Sequence, residues 1–369
     1  EFIELYNAGP VFVDLGGWRI GGGVEFTFPP GYRLEAGAFV TVAADPAAVQ
    51  SVYPITGVLG PFSGSLNNAG EALMVYDSFG ALKLEMEYSP EAPWPASADG
   101  GGHSLILARP SLGLENPRAW SASEVVGGSP GTPDAIRPTP WRGVVINEFL
   151  AHTDDPQLDF IELFNRNRTE VVLDGCILTD DPGTNRFRIP SGTRIPARGH
   201  LVFDEEELGF RLDAAGEQIF LISPDGSRVI DAIRFGGQEG GVSSGRTPDG
   251  AERIRRLVQP TPGSANTRWR PESIVINELM YKPISRDDSD EFLELHNRSA
   301  SSVDLSGWRF TDGIDFEIPT GTTIPAQGFL VVARDAARIR SNHPTLNSSQ
   351  VIGNYQGSLA NRGERVALS

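Results

Sequence analysis

One phrase occurs three times in this chain of 369 residues, and it constrains the fold more than any other feature of the sequence. It reads "EFIELYN" at 1–7, "DFIELFN" at 159–165 and "EFLELHN" at 291–297. Glu4 and Glu162 are 158 residues apart (162 − 4), and Glu162 and Glu294 are 132 apart (294 − 162). Periods this long indicate tandem globular domains, because the repeats of a solenoid run at about 20 to 50 residues.

Further motifs follow each phrase in the same order. "VDLGGWRI" (13–20) corresponds to "VLDGCILT" (172–179) and "VDLSGWRF" (303–310), and "NNAGEALMVYD" (67–77) corresponds to "DAAGEQIFLIS" (213–223) and "ANRGERVALS" (360–369). A strand-like stretch precedes two of the phrases, "VVINEFLAH" (144–152) and "IVINELMYK" (274–282), and the first copy lacks it. The sequence predicts three domains, at 1–135, 144–266 and 274–369.

The composition favours an all-β fold. Glycine (42) and proline (28) interrupt the chain often, and few apolar runs reach helix length. "SPDGSRVIDAIRF" (223–235) and "YDSFGALKLEMEY" (76–88) each predict a hairpin. Asp45 and Asp335 precede short Ala-rich runs, which predicts a short helix after each. The linkers at 127–143 and 259–273 are Pro-rich, so we expect semi-rigid spacers.

The motif series INE…(D/E)F(I/L)EL.N…L.GW resembles the lamin-tail domain family in its bacterial secreted form. "SPGTPDA" (129–135) and "PTPGSAN" (260–266) look like that family's closing segments, and the resemblance covers nearly the whole chain. It implies three tandem immunoglobulin-like β-sandwich domains. The second copy has Cys176 where the others have Trp18 and Trp308, so we expect its core to be repacked there.

The net charge disfavours several classes of partner, and the cysteine content excludes an internal disulfide. The formal net charge of −17 opposes binding to nucleic acid and to anionic membrane. No stretch is apolar enough for direct membrane insertion. Cys176 is the only cysteine, so no internal disulfide can form, which still allows an exported protein with adequate domain cores.

The repeated glutamates Glu4, Glu162 and Glu294 invite a catalytic interpretation, with Glu148 and Glu278 of the "INE" stretches as partners. A structural role is favoured, because three copies of one motif suggest a part in folding each domain. A glutamate in a strand commonly accepts bonds from backbone or Arg donors.

Two acidic loops at equivalent positions could surround a hard cation such as Ca²⁺. A solvated loop is the favoured alternative, since the spacing matches no known calcium loop. The candidate ligands are Asp154, Asp155 and Asp159 in one loop and Asp287, Asp288 and Asp290 in the other, with Asp180 and Asp312 as additional ligands.

Other candidate motifs carry little weight. "GVSSG" (241–245) fits a nucleophile elbow, but Pro248 and Gly250 oppose the helix that this elbow requires. The five histidines lie in different segments without zinc-ligand spacing. Trp94, Trp141 and Trp269 are the tryptophans whose exposure would indicate a carbohydrate platform. We predict no cofactor and no catalytic site.

The resemblance implies a non-catalytic structural or adhesive array of a bacterial secreted or cell-surface protein. Its expected partners are other copies of itself or other surface proteins, and a fibre is one form of assembly. The alternative is an accessory targeting or spacing region of a larger exported hydrolase or CotH-kinase-like protein, because such domains often accompany lamin-tail domains.

The two ends of the chain look incomplete. The first copy lacks its "INE" strand, and the third copy stops at "ERVALS", where the other two continue through a turn into a partner strand. We expect the 369 residues to be a segment of a longer polypeptide. A second hypothesis is that neighbouring subunits supply the missing strands in trans.

If the chain binds Ca²⁺, we expect the ion in the two acidic loops. Calorimetric titration with Ca²⁺ should then give smaller heats for Asp155→Asn and Asp288→Asn than for the unchanged chain, because each variant loses a charged oxygen ligand. Equal heats from all three proteins would contradict this assignment.

Overall fold

The computed structural model describes residues 1–154, 156–184, 186–361 and 365–368. It divides into two compact units, Glu1–Trp269 (unit 1) and Arg270–Ser369 (unit 2). Unit 1 holds the first two copies of the repeat and unit 2 holds the third. The predicted all-β fold is confirmed, since sheets dominate both units. The boundaries 1–135, 144–266 and 274–369 stay a prediction.

The first copy contains a five-stranded antiparallel sheet and several strand pairs. Its strands are β1 (Phe2–Tyr6), β2 (Val13–Asp14), β3 (Arg19–Gly22), β4 (Val24–Thr27), β5 (Arg33–Leu34), β6 (Phe39–Ala43), β7 (Ser63–Gly64), β8 (Glu71–Tyr76), β9 (Leu82–Tyr88), β10 (Leu105–Leu107) and β11 (Trp120–Ala122). The large sheet has the order β7-β4-β3-β8-β9, and the pairs are β1-β6, β2-β5 and β10-β11. Its core includes Ile20, Val24 and Phe28.

The second copy is a two-layer sandwich. Its strands are β12 (Val144–Leu150), β13 (Phe160–Asn165), β14 (Val171–Val172), β15 (Ile177–Thr179), β16 (Phe187–Arg188), β17 (Arg194–Ile195), β18 (His200–Asp204), β19 (Gln218–Ile222), β20 (Val229–Arg234), β21 (Ser244–Arg246) and β22 (Ile254–Arg256). The two main sheets have the orders β18-β13-β12-β21-β22 and β16-β15-β19-β20. Ile146, Phe149, Leu163 and Ile219 belong to one buried core cluster, which removes apolar surface from water.

The third copy repeats the arrangement in unit 2. Its strands are β23 (Ile274–Met280), β24 (Phe292–Asn297), β25 (Val303–Asp304), β26 (Arg309–Asp312), β27 (Phe316–Glu317), β28 (Thr323–Ile324), β29 (Phe329–Ala333), β30 (Val351–Gly353) and β31 (Ala367–Leu368). The sheets have the orders β23-β24-β29-β30 and β27-β26-β31. Leu293, Leu295, Phe310 and Val332 lie in the core between these sheets.

Short helices and hairpins follow the local sequence. Helix α1 (Pro46–Val52) begins after Asp45, whose carboxylate accepts a bond from Ala48 N, and the predicted helix there is confirmed. The 3-10 helices of unit 1 are Ala96–Ala98, Pro110–Leu112 and Pro117–Ala119. The predicted hairpins β8-β9 and β19-β20 are also confirmed.

Two further helices show the same capping chemistry. Helix α2 (Glu205–Leu208) has a capping box, in which Asp204 and Glu207 each accept a bond from the other's backbone N–H, and the sequence analysis missed this helix. Helix α3 (Ala336–Asn342) begins after Asp335, as predicted, and the 3-10 helix Asp288–Asp290 precedes β24.

The asparagine that ends each repeated phrase holds a loop against its own domain. Each side-chain NH₂ donates to three backbone carbonyls at 2.8 to 3.2 Å, and each side-chain oxygen accepts one backbone N–H at 2.9 Å. All three asparagines are buried. The acceptors are Val11, Leu34 and Glu35 for Asn7, Thr169, Ile195 and Pro196 for Asn165, and Ser301, Ile324 and Pro325 for Asn297.

The position of Cys176 differs from its counterparts in the other copies. Cys176 is fully buried in the core of the second copy, whereas Trp18 and Trp308 are only partly buried at the margins of theirs. Trp141 packs against the core that contains Cys176, and its indole N–H donates to the carbonyl of Val172 at 3.0 Å. A tryptophan from the preceding linker therefore contributes to this core.

We expect Asn297→Asp to destabilise unit 2 by about 2 to 4 kcal/mol, because a carboxylate of the same shape cannot donate to the three buried carbonyls. Chemical denaturation should show a lower free energy of unfolding for unit 2. Asn347→Asp is the control, because the exposed Asn347 caps Ser349 through its oxygen and keeps that role as Asp. Equal destabilisation by both changes would contradict the role of Asn297.

Candidate functional site

Glu162 lies within β13 and is fully buried in the second copy. One carboxylate oxygen accepts a bond from the side-chain N–H of Asn147 on β12, at 2.9 Å. The other accepts the backbone N–H of Gly263, at 2.7 Å. A single glutamate therefore joins two sheet strands to a segment about a hundred residues later.

Glu148 binds the same segment from the neighbouring strand β12. Its carboxylate accepts the backbone N–H of Thr261 at 2.9 Å and the hydroxyl of Thr261 at 2.9 Å. We call residues 259–266 the closing segment of the second copy. Glu148 and Glu162 together hold the closing segment by accepting its backbone N–H groups. The hydroxyl of Thr261 donates a further bond to Glu148.

Asp249 completes this polar network. Its carboxylate accepts the side-chain N–H of Asn147 at 3.1 Å and the backbone N–H of Asn266 at 2.9 Å, and it pairs with Nε2 of His200 at 3.0 Å. The side-chain N–H of Asn266 donates to the carbonyls of Asn147 and Arg246. These buried groups satisfy one another, as a stable interior requires.

The first copy has a similar arrangement, in which a threonine hydroxyl rather than an asparagine amide donates to the glutamate. One oxygen of Glu4 accepts both the hydroxyl of Thr41, at 2.9 Å, and the backbone N–H of Gly131. Gly131 stands in "SPGTPDA", at the position that Gly263 has in "PTPGSAN". We call residues 127–134 the closing segment of the first copy.

In the third copy, Glu294 accepts the side-chain N–H of Asn277 at 2.7 Å, and Glu278 is exposed. The Asn–Glu pair between neighbouring strands is therefore common to the second and third copies. The repeated glutamates contact donors that hold the domain together, which agrees with the structural interpretation of the motif.

Burial controls the protonation of these carboxyls. It raises the pKa of Glu162 above its ordinary value, against bonds from Asn147 and Gly263 that lower it. Burial likewise raises the pKa of Glu148 and of Glu4. A shift of this direction means that the folded chain holds these protons more tightly than the unfolded chain.

The first acidic loop does not bring its described carboxylates together. Asp154 is exposed, whereas Asp159 is buried and accepts bonds from the hydroxyl of Thr153, at 2.9 Å, and the backbone N–H of Leu212, at 3.2 Å. Asp155 lies outside the described residues. Burial raises the pKa of Asp159.

Arginines neutralise the second acidic loop. Arg338 contacts Asp287 at 2.7 Å and Asp290 at 2.6 Å, and Arg334 contacts Asp288 at 3.4 Å. Hydrogen bonds from Arg338 and Ser285 lower the pKa of Asp290 to about 2. These carboxylates are already engaged by cations that α3 and its neighbouring residues supply.

The additional candidate ligands have neighbours of their own. Asp312 pairs with Arg365 at 2.5 Å, and Asp180 is half-buried near Glu217. Burial, with the charge of Asp180 as a smaller contribution, raises the pKa of Glu217 to about 7. Among the described residues, no group of three or more His, Cys, Asp or Glu side chains has the geometry to hold a metal ion. The calcium assignment stays a prediction.

The remaining motifs take structural positions. Ser243 of "GVSSG" is fully buried beside β21, which pairs with β12 in the middle of a sheet. Trp94 is buried, Trp141 is partly buried, and Trp269 is 37% exposed with the guanidinium of Arg255 over its ring. The three tryptophans therefore differ in exposure, and only Trp269 is exposed.

A polar cleft of about 380 Å³ opens in unit 2. Its cation Arg334 contacts Asp288 and Glu291, at 3.4 and 3.5 Å, so the charge is already paired. The lining residues are Ser289, Arg334, Asp335, Asn354, Tyr355, Gln356 and Gly357. This set offers no histidine base beside a nucleophile.

Comparison with known proteins identifies one family. The family model described as Lamin Tail Domain matches residues 1–89, 138–237 and 270–369. No curated protein and no solved structure matches the chain significantly. The lamin-tail domain is a non-enzymatic family with an immunoglobulin-like fold, so the expected fold of the three copies is confirmed. Across the described residues, no helix has the length and apolar character needed to span a membrane.

We expect Glu162→Gln to flatten the pH dependence of unit 1 stability. The pKa of Glu162 is raised in the folded chain, so its stabilising contribution is complete below its ordinary value of 4.5 and is lost as the pH rises through the folded pKa. Gln does not titrate. The free energy of unfolding, measured at about pH 5 and about pH 8, should therefore differ less in the variant, by about 1 to 2 kcal/mol.

The control for this pH experiment is Glu206→Gln, which changes an exposed glutamate of α2. It should leave the pH dependence as it is in the unchanged chain. Superimposable curves for Glu162→Gln and the unchanged chain would contradict the assignment of the raised pKa to Glu162.

Proposed function

The chain belongs to the lamin-tail domain family, and on that premise we propose that it is a non-catalytic structural array of a bacterial protein exported to the cell surface. Its three immunoglobulin-like modules space and present neighbouring parts of that protein, and they adhere to other surface proteins or to further copies of the array. The proposal rests on how the chain uses its repeated polar residues.

The observation that carries the proposal is the role of the repeated glutamates. Glu4 and Glu162 each accept a backbone N–H from the closing segment of their own copy. A catalytic carboxylate is expected to have a free oxygen beside a substrate cleft, whereas Glu162 is buried and each of its oxygens accepts a hydrogen bond. Carboxylates that hold the first two modules closed support a structural array that turns over no substrate.

A rigid joint between the first two copies also supports a spacing role. Glu124, which is buried, contacts Arg142 at 2.7 Å and also contacts Arg228, the residue before β20. Nε2 of His103 accepts the backbone N–H of Val229, at 2.8 Å. Burial lowers the pKa of His103, which favours the neutral ring that this bond needs.

A second set of contacts lies along the same strands. Asp99 accepts bonds from Arg234 at 2.5 Å and Gln218 at 2.7 Å. Hydrogen bonds also fix the linker, since the carboxylate of Asp134 accepts bonds from the hydroxyl of Ser129 and from the backbone N–H of Glu124. Charged and neutral contacts on both sides of the joint oppose hinge motion between the two copies.

We expect a single, narrow distance distribution between spin labels on the two copies of unit 1. The labels go on Ser78→Cys and Ala197→Cys, which are exposed positions of the first and second copies. Burial raises the pKa of Cys176 to about 12, so the native thiol stays unlabelled. Pulsed electron paramagnetic resonance measures the distribution.

The matched variant adds Asp99→Asn and Glu124→Gln to the labelled chain, which removes the carboxylate charges of these two residues from the joint. It should broaden the distance distribution while each copy keeps its fold. A broad distribution in the labelled chain without these changes would contradict the spacing role.

A further inference from the structure

A basic stretch with an exposed tryptophan lies in the last part of the second copy. Residues 253–269 contain four arginines and no aspartate or glutamate, in a chain whose formal net charge is −17. Arg255 and Arg256 belong to β22, Arg253 precedes this strand, and Arg268 precedes Trp269. A local excess of positive charge in an acidic chain marks a surface that can attract an anion.

The strand register places Arg255 on the outer face of its sheet, where the closing segment lies. Glu148 pairs with Glu162 on one side and with Gly245 on the other. Gly245 in turn pairs with Arg255, and residues paired directly across neighbouring strands share a face. Glu148 and Glu162 contact the closing segment on this face. Arg253 is two residues before Arg255 and shares the face with it.

Trp269 is next to Arg255 on the same face. It forms an antiparallel bridge with Leu257, the residue after β22, and the backbone N–H of Val258 donates to the carbonyl of Arg268 at 3.2 Å. Leu257 is two residues beyond Arg255, so the tryptophan and the arginine are diagonal neighbours. The guanidinium carbon of Arg255 lies 4.9 Å from the centre of the Trp269 ring. Strand pairing therefore brings this cation and this ring together.

The contact with the ring holds the guanidinium of Arg255 in a position suited to a carboxylate. A guanidinium over an aromatic ring presents its N–H donors around its rim, where they match the two oxygens of a carboxylate. In the parts of the chain that the structure describes, neither Arg253 nor Arg255 forms an ion pair. Asp249, an acidic residue nearby in the sequence, pairs instead with His200 at 3.0 Å. Both arginines are therefore available to an anion from outside the chain.

We call Arg253, Arg255 and Trp269 the arginine–tryptophan face, and we propose that it binds a polysaccharide that carries carboxylates, such as a polymer of uronic acids. Arg255 binds one carboxylate through two N–H groups, and Arg253, about 7 Å away along the chain, binds the carboxylate of a neighbouring sugar. The indole ring of Trp269 packs against the C–H groups of a sugar ring. The inference rests on the proposed function and deepens it, because it names a class of partner to which the array adheres.

Backbone pairing disfavours an acidic peptide as the occupant. Strand β22 has three residues, and the backbone beyond it is already bonded, since Val258 donates to Arg268. A peptide strand added to this edge would therefore meet only a short row of backbone groups, and short edges pair poorly. A saccharide binds through the side chains of the face and needs no free backbone. It also supplies a flat ring for Trp269, which an acidic peptide lacks.

The test uses the full chain and tetragalacturonate, in about 0.15 M salt, where the Debye length of about 8 Å screens the charges of distant residues. Isothermal titration calorimetry should show saturable binding of one oligosaccharide per chain. The fully methyl-esterified oligosaccharide keeps the sugar rings without the charges and should bind about ten-fold more weakly or worse. Tetraglutamate supplies carboxylates without sugar rings and should also bind more weakly.

Variants of the chain locate the site. Arg255→Gln removes the positioned charge, Trp269→Ala removes the ring, and each should weaken binding about ten-fold. Arg268→Gln is the matched control, because it removes the same charge one residue from Trp269, from a side chain that points to the opposite face of the extended backbone. It should leave the affinity unchanged. Circular dichroism melts show whether each variant is folded, and the three ligands test the face without changing the chain.

Four results would overturn the proposal. The first is the absence of saturable tetragalacturonate binding, and the second is equal binding of its methyl ester. The third is equal or tighter binding of tetraglutamate, which would make an acidic peptide the occupant. The fourth is an equal loss of affinity in Arg255→Gln and Arg268→Gln, which would indicate attraction by charge alone. The spin-label distances test the spacing role separately, so a narrow distribution would still support the proposed function after any of these results.

Discussion

Buried backbone carbonyls need donors, and in each copy the two N–H groups of a single asparagine side chain serve three of these carbonyls. Asn7, Asn165 and Asn297 stand at the end of the repeated phrase and join its strand to two loops. The loops then place the strands that follow, which build the opposite sheet. Because the asparagine is uncharged, it satisfies these acceptors without the cost of burying an ion.

In the first two copies, the glutamate three residues before this asparagine contacts the closing segment at the C-terminal end of the domain. In the second copy it accepts a bond from an asparagine of β12, and in the first copy it accepts a bond from Thr41 of β6. The first and second copies share the backbone N–H of a glycine in the closing segment as a donor to this glutamate. A backbone donor allows the side chains of the closing segment to vary, so "SPG" and "TPG" serve equally. The contact between the glutamate and a backbone N–H therefore tolerates sequence changes that a contact between two side chains would not tolerate.

Local chemistry explains which elements could be predicted. Asp225-Gly226 lies in the β19-β20 turn, and Asp45 caps α1, as short-range turn and capping rules expect. The capping box of α2 was readable from Asp204 and Glu207, but a four-residue helix has almost no periodic pattern. The bond from Gly263 to Glu162 spans 101 residues, and no local rule connects the two positions. For the same reason the arginines that neutralise Asp287 and Asp290 could not be found from the loop alone. Arg338 reaches Asp290 from 48 residues away.

The long distance in sequence between each glutamate and its closing segment has a consequence for folding during synthesis. A ribosome adds about 5 to 20 residues per second, so Glu162 emerges roughly 5 to 20 seconds before its partner Gly263. During that interval β14 to β22 are synthesised, and the second sandwich still lacks the contact that closes it. The first copy waits longer, because Gly131 follows Glu4 by 127 residues. The first and second modules therefore finish folding only after their closing segments leave the ribosome, and the first does so before the second. A net charge of −17 keeps neighbouring nascent chains apart while their edges are still open.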